Sequence, residues 1–110
     1  MSAIEARLAE LGISLPEPVA PVANYVPFVR TGNQVFLSGQ VSIGPDGLVA
    51  GTLGDDMDLE AGQAAARLCG INLIAQMKAA CEGYLERVKR VVRLGGFVAA
   101  APSFTDIPKV

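Results

Sequence analysis

Residues 32–40 read GNQVFLSGQ, and this stretch decides the fold. Its run Val-Phe-Leu favours a short β-strand, and the Gly-Asn pair at 32–33 marks a turn before it. Upstream, residues 24–30 are rich in strand-forming residues, but Pro27 confines them to a sheet edge or to the start of a strand. The two segments therefore predict a β-hairpin.

A second turn and a long helix follow this hairpin. Gly44-Pro45-Asp46-Gly47 is a strong turn signal, and residues 48–50 are predicted to add a third short strand. From Leu59 to about Glu82, apolar residues recur at alternating steps of three and four, which predicts one long helix packed on a sheet. The members of this apolar stripe are Ala66, Cys69, Leu73, Met77, Ala80 and Tyr84.

Two glycines lie within the predicted helix, and a third directly follows it. A glycine in a helix interior costs about 1 kcal/mol relative to alanine. We therefore expect Gly62 and Gly70 to lie where the helix approaches the sheet closely. Gly83 is expected to end the helix.

An acidic cluster precedes the helix. Asp58 is placed to cap its first turn, and Asp55 and Asp56 favour the positive end of the helix dipole. A divalent metal is the alternative, but the spacing does not match an EF-hand and capping already explains these residue types. We predict no metal and no cofactor.

The two ends of the chain complete the expected domain, a single unit of residues 1–110. A helix over residues 2–12 begins with a capping box, and a proline-rich arm over residues 13–22 follows it. A final valine-rich strand is predicted over residues 87–100. Basic side chains on one face of that strand would form either a phosphate-binding strip or an ordinary solvated face; these are Arg87, Lys89 and Arg93.

Composition excludes several classes of function. The chain has 110 residues, 51% of them hydrophobic, which is enough for one domain with a core. A net charge of −2, few aromatic residues and no tryptophan argue against nucleic-acid binding. The absence of histidine removes the Ser-His-Asp and Cys-His catalytic schemes.

Membrane insertion, secretion and disulfide formation are not predicted either. Polar residues interrupt the longest apolar stretch, and the first residues do not resemble a signal peptide. Cys69 and Cys81 would lie about 18 Å apart on one helix, too far for a disulfide. We expect reduced core thiols and a cytoplasmic location.

The order of these motifs resembles the YjgF/RidA family, also called the L-PSP or reactive intermediate deaminase family. Tyr25 followed by residues 32–40 is similar to the signature hairpin of that family. Residues 85–98 are similar to its turn and central strand, and Phe104 falls where a loop aromatic is common. The ending, residues 104–110, is similar to a branch with a longer N-terminus. The resemblance covers most of residues 22–110.

The resemblance implies a chorismate-mutase-like α+β fold, with a sheet packed against a long helix, and a homotrimer with ligand clefts between subunits. Carried over position by position, Tyr25, Ser38, Gly39 and Phe104 are the ligand-binding residues. The implied ligand is a small carboxylate metabolite, an imino or 2-oxo acid. The implied reaction is hydrolysis of a 2-imino acid to a 2-oxo acid and ammonia.

The resemblance also implies what this chain does not carry. The arginine and the acidic residue of typical members follow the point that corresponds to Val110, so catalytic residues are not assigned, and we expect a C-terminal portion or an unusual assembly to complete the fold. Arg30 and Arg93 could substitute for that arginine, but the motif places neither in the cleft. A noncatalytic trimeric metabolite-binding protein and an endoribonuclease are the alternative functions.

Overall fold

The computed structural model describes residues 2–21 and 23–110, so Met1 and Val22 lie outside the described residues. The chain divides into two compact units. The first contains Met1–Gln40 and Ile71–Val92, and the second contains Val41–Gly70 and Arg93–Val110. Within the described ranges, no helix is both long and apolar enough to cross a membrane.

The first unit begins with helix α1, Ala3–Glu10. The Ser2 hydroxyl accepts the Glu5 N–H at 3.1 Å, which is the cap that the sequence predicts. The helix is two residues shorter at its C-terminal end than expected, because Gly12 adopts φ +71 and turns the chain. The predicted arm over residues 13–22 follows, and its last residue is not described.

The predicted hairpin is present in the first unit. Strand β1, Phe28–Thr31, pairs antiparallel with β2, Gln34–Leu37. Gly32 adopts φ +61 between them, the value that the first position of a type II′ turn requires. Strand β1 begins only after Pro27, which fits the limits that proline sets on a strand.

A second short hairpin lies in the other unit. Strands β3, Ile43–Gly44, and β4, Gly47–Leu48, pair antiparallel around the predicted Pro-Asp turn. The sequence predicted only the strand after this turn. A β-carbon on Gly44 would come within 2.9 Å of Leu68 Cδ2, so this hairpin packs closely on the long helix.

The long helix α2 runs over Leu59–Ala80, close to its predicted bounds. Asp58 caps it, since its Oδ1 accepts the Ala61 N–H at 2.8 Å. Gly83, with φ +93, donates its N–H to the Lys78 carbonyl and ends the helix as expected. Gly62 does lie at a close approach, since its β-carbon would be 2.6 Å from Leu53 Cδ2, but Leu53 belongs to isolated β-bridges and not to a sheet. The prediction of a close approach is wrong at Gly70, which has open space.

The buried face of α2 differs from the predicted apolar stripe. The most deeply buried side chains of the helix include Asn72, Ala75 and Gln76, whereas Ala66 is exposed. Gln76 is 1% exposed and donates its amide to the Val19 carbonyl at 3.0 Å. The Gln76 amide thus supplies a donor to one backbone carbonyl of the proline-rich arm, whereas its Oε1 is buried with no hydrogen-bond partner among the described residues.

The predicted final strand is absent from the described residues. A 3₁₀ helix occupies Leu85–Arg87. Residues 88–98, which we call the unpaired segment, belong to no helix or strand, and Leu53 then bonds to the Ala99 carbonyl and bridges Ala100. A valine-rich segment becomes a strand only where a neighbouring strand supplies hydrogen bonds. Without that strand, the basic strip on its face is not formed, and Arg87 instead stacks on Tyr84 with its guanidinium carbon 4.9 Å from the ring centre.

Candidate functional site

Ser38 is the best-anchored residue of the predicted site. It follows β2, and its N–H donates to the Pro27 carbonyl at 2.9 Å. Its hydroxyl donates to the Val26 carbonyl at 2.5 Å. Its own carbonyl accepts the Gln40 side-chain amide at 3.3 Å. Two atoms of Ser38 are therefore bonded to the segment that precedes β1, and its carbonyl is bonded to Gln40.

The backbone after Ser38 offers free donors. Within residues 2–21 and 23–110, no hydrogen bond is recorded for the N–H groups of Gly39 and Gln40. Gly39 is exposed, and a β-carbon built on it would meet nothing within 4 Å. An N–H donor beside open space, as at Gly39, suits an anionic or carbonyl oxygen, which accepts hydrogen bonds readily.

Tyr25 is placed near Ser38 through its neighbour in the chain, Val26. It directly precedes Val26, whose carbonyl accepts the Ser38 hydroxyl. The Tyr25 side chain is 46% exposed, and its backbone N–H donates to the Ala23 carbonyl at 2.9 Å. The structure thus brings together the backbones of Tyr25, Ser38 and Gly39, three of the four residues that the resemblance assigns to the ligand.

Phe104, the fourth residue, belongs to the second unit. Within that unit it packs against Gly54, where an added β-carbon would come within 2.9 Å of Phe104 Cβ. Gly54 has φ +84, so glycine is required there for both its conformation and its space. These contacts give Phe104 a packing role, and its contribution to ligand binding stays a prediction.

The arginines that could replace the family's anchor are placed differently. Arg30 lies on β1 and donates its Nε–H to the Gly32 carbonyl at 3.1 Å, so its side chain turns back to its own hairpin. Arg93 is exposed and belongs to the second unit, whereas the loop at Ser38 and Gly39 belongs to the first. Neither is shown to hold a ligand.

A shallow cavity of about 330 Å³ is located elsewhere in the first unit, between α1 and the 3₁₀ helix. Its lining includes Glu5, Tyr84 and Glu86. The Lys78 ammonium, by hydrogen bonding to it, lowers the pKa of the Glu5 carboxyl and keeps it ionised. A carboxylate metabolite would meet like charges here, so this cavity is a poor candidate for the predicted ligand.

The remaining chemically capable groups have structural roles. Asp58 caps α2, and Asp56 accepts the Thr52 N–H at 2.7 Å. Among the described residues no group of three acids or thiols could hold a metal ion. Both cysteines are free, and burial raises the pKa of the Cys69 thiol, which disfavours its reactive thiolate.

The sequence reasoning missed one residue of this loop. Gln40 belongs to the 32–40 motif, but the motif does not assign it to the site. The Gln40 side-chain amide donates to the Ser38 carbonyl, two residues earlier. Many surface residues form such local hydrogen bonds, so the residue type alone does not mark Gln40 as part of a site. The signal that could have identified it is its position directly after the two site residues Ser38 and Gly39.

Comparison with known proteins settles the family. The family described as "YjgF/chorismate mutase-like, putative endoribonuclease" matches residues 5–110. The chain belongs to this family. Its α+β fold, with a small sheet and a long helix, is accordingly chorismate-mutase-like.

Two solved structures of similar proteins agree with this assignment. The structure of a "putative endoribonuclease" from Shewanella oneidensis is 39% identical and superposes with a TM-score of 0.92, over 98% of this chain and 72% of that one. Protein Atu1372 from Agrobacterium tumefaciens, described as of unknown function, is 43% identical with a TM-score of 0.85, over 96% of this chain and 65% of that one.

A curated relative shows the same partial coverage. Protein TCP17 of Trypanosoma cruzi is 46% identical over 106 residues, which are 94% of this chain and 64% of that protein. The chain therefore spans somewhat less than two thirds of the length of this relative. Family membership rests on residues within the chain.

Proposed function

We propose that the protein, at its full natural length, is an imine or enamine deaminase of the YjgF type, acting on a small 2-imino acid in the cytoplasm as a homotrimer. The observation that carries this proposal is the loop at Ser38 and Gly39, where free backbone donors adjoin the backbone of Tyr25 in a member of this family.

The proposed reaction needs little from the protein. Water adds to the imine carbon, the carbon–nitrogen bond of the resulting carbinolamine breaks, and ammonia leaves a 2-oxo acid. The free N–H groups of Gly39 and Gln40 would bind the substrate carboxylate. The Ser38 hydroxyl donates to Val26, so its oxygen lone pairs remain able to accept a hydrogen bond from the attacking water and orient it. The Tyr25 hydroxyl would assist proton movement.

A noncatalytic metabolite-binding protein is the second candidate. It is favoured by the chemistry of the loop, because Tyr25 is the only titratable side chain among the three site residues that the described first unit brings together. Binding through backbone donors needs no acid or base. Catalysis would need at least one further group from elsewhere in the protein or from another subunit.

The decisive experiment supplies 2-aminoacrylate, generated from serine by a dehydratase, and follows the release of pyruvate. We expect the full-length protein to accelerate release over buffer. Tyr25→Phe should lower kcat/KM about tenfold by removing one hydroxyl from the reacting centre. Tyr84→Phe is the matched control, because Tyr84 is equally exposed but lies beside Arg87 instead of the loop.

The outcomes separate the candidates. No acceleration by the full-length protein, together with pyruvate binding, would favour the noncatalytic function. Cleavage of single-stranded RNA would support the endoribonuclease activity named in the family description. The net charge of −2 and the lack of histidine argue against it, since RNA binding draws on phosphate neutralisation.

A further inference from the structure

The Ser38–Gly39 peptide group connects the anchored residue with the free donor. The carbonyl of Ser38 and the N–H of Gly39 belong to the same planar unit, and in a trans peptide they point in opposite directions. The chain has no cis peptide among its described residues. Whatever fixes the Ser38 carbonyl therefore also fixes the direction of the Gly39 N–H.

This peptide needs such a restraint because of the glycine. Rotation of a peptide plane changes ψ of the residue before it and φ of the residue after it, and glycine tolerates the values of φ that other residues avoid. The bonds from Ser38 to Pro27 and Val26 hold its N–H and its side chain, but they do not hold its carbonyl. The carbonyl is held by the Gln40 side chain, at 3.3 Å.

We infer that Gln40 is a positioning residue: its amide holds the Ser38 carbonyl and thereby directs the Gly39 N–H toward the substrate carboxylate. The ligand in this statement rests on the proposed function, whereas the orientation of the peptide does not. Gln40 is half-buried, so its bond to the carbonyl is partly shielded from water. Without that bond the peptide samples both directions, and the donor is available for only part of the time.

The test uses the full-length protein labelled with ¹⁵N. Gln40→Met keeps the length of the side chain and removes its donor, and Gln40→Glu keeps its shape and removes the donor. Gln34→Met is the matched control, because Gln34 lies exposed on β2 with no recorded side-chain bond in the described chain. Residual dipolar couplings of the Gly39 N–H, measured without ligand, report the direction of that bond directly.

We expect the Gly39 coupling to change in both Gln40 variants and to stay unchanged in Gln34→Met, while the couplings of α2 stay constant in all three. Pyruvate is then titrated as the carboxylate probe. Its affinity should fall about two- to tenfold in Gln40→Met, because the apparent Kd rises as the fraction of the protein with a correctly directed Gly39 N–H falls. The neutral variant shows that the loss does not come from added negative charge.

The two parts of the inference fail separately. An unchanged Gly39 coupling in Gln40→Met overturns the positioning role, whatever the deaminase assay shows. A changed coupling with unchanged pyruvate affinity overturns the link to the carboxylate. If the wild-type protein does not bind pyruvate, the proposed ligand is wrong, and the coupling alone still decides the role of Gln40.

Discussion

Gly62 and Gly70 lie on the same helix, but Gly62 faces a leucine side chain and Gly70 faces open space. The effect of an added methyl group on stability should therefore differ between the two positions. A β-carbon on Gly62 would lie 2.6 Å from Leu53 Cδ2, whereas one on Gly70 would meet nothing within 4 Å. Leu53 is only 2% exposed and cannot move aside freely. We predict that Gly62→Ala lowers the free energy of unfolding by about 1–3 kcal/mol, measured by urea denaturation.

Gly70→Ala is the control for that substitution. It should raise the free energy of unfolding by about 0.5–1 kcal/mol, because alanine is the better helix former and nothing opposes its methyl group. Equal effects of the two substitutions would contradict the packing of Leu53 on Gly62. The sequence predicted a close approach at both glycines, since helix periodicity cannot show which of them faces a buried leucine.

The residues of the candidate site show the same limit. Tyr25, Ser38 and Gly39 are assigned to the ligand by the hairpin motif and its family resemblance, and that assignment stays a prediction. The bond from Gln40 to the Ser38 carbonyl could not be predicted, because the sequence does not specify the direction of a side chain in a loop. Residue types predict where a turn forms, but they do not predict which hydrogen bonds form between neighbouring loop residues.

At the scale of elements, α1 depends on polar contacts. None of its residues is buried, and Glu5 forms an ion pair with Lys78 of α2. The hydrogen bond from Lys78 lowers the Glu5 pKa below its usual 4.5. The stabilisation from this pair is therefore present at pH values above 4.5 and is lost as the pH falls through the lowered pKa of the folded state.

An NMR titration of the Glu5 carboxyl checks this statement. We predict a midpoint below 4.5 in the wild-type protein and a return toward 4.5 in Lys78→Met, with amide exchange of α1 residues accelerating in that variant. Arg7→Met is the control, because Arg7 pairs with Glu10 within the helix and should leave the midpoint of Glu5 unchanged. A midpoint that is insensitive to Lys78 would rule out the pair.

The elements themselves were predictable to different degrees. The β1–β2 hairpin and α2 follow from turn chemistry and apolar periodicity, which are local properties of the chain. The prediction of a strand over residues 87–100 is wrong. Its valines favour an extended backbone, but a strand also needs a partner strand, and the tertiary structure decides whether one is present. Asn72 and Gln76 are not part of the predicted apolar stripe of α2, yet both are buried. Their burial depends on contacts outside the helix, which the periodicity of the helix does not predict.

At the scale of the whole molecule, the exposed apolar side chains of the unpaired segment stand out. Val92 is 80% exposed, and Leu94 and Phe97 are also largely exposed. Monomeric proteins seldom leave several neighbouring apolar side chains in water. The family resemblance implies a homotrimer, and association would remove such surface from solvent.

We predict that sedimentation equilibrium of the full-length protein gives three times the mass of one chain. Val92→Asp should shift this equilibrium toward smaller species, because a carboxylate in an apolar contact must be desolvated without a partner. Lys89→Asp introduces the same carboxylate on the same segment, at an exposed position that is already polar, and should retain the trimer. A single-chain mass for the wild-type protein would exclude the trimer. A trimer that withstands Val92→Asp would instead place this segment outside its interfaces, and its apolar side chains would then be covered from within the same chain.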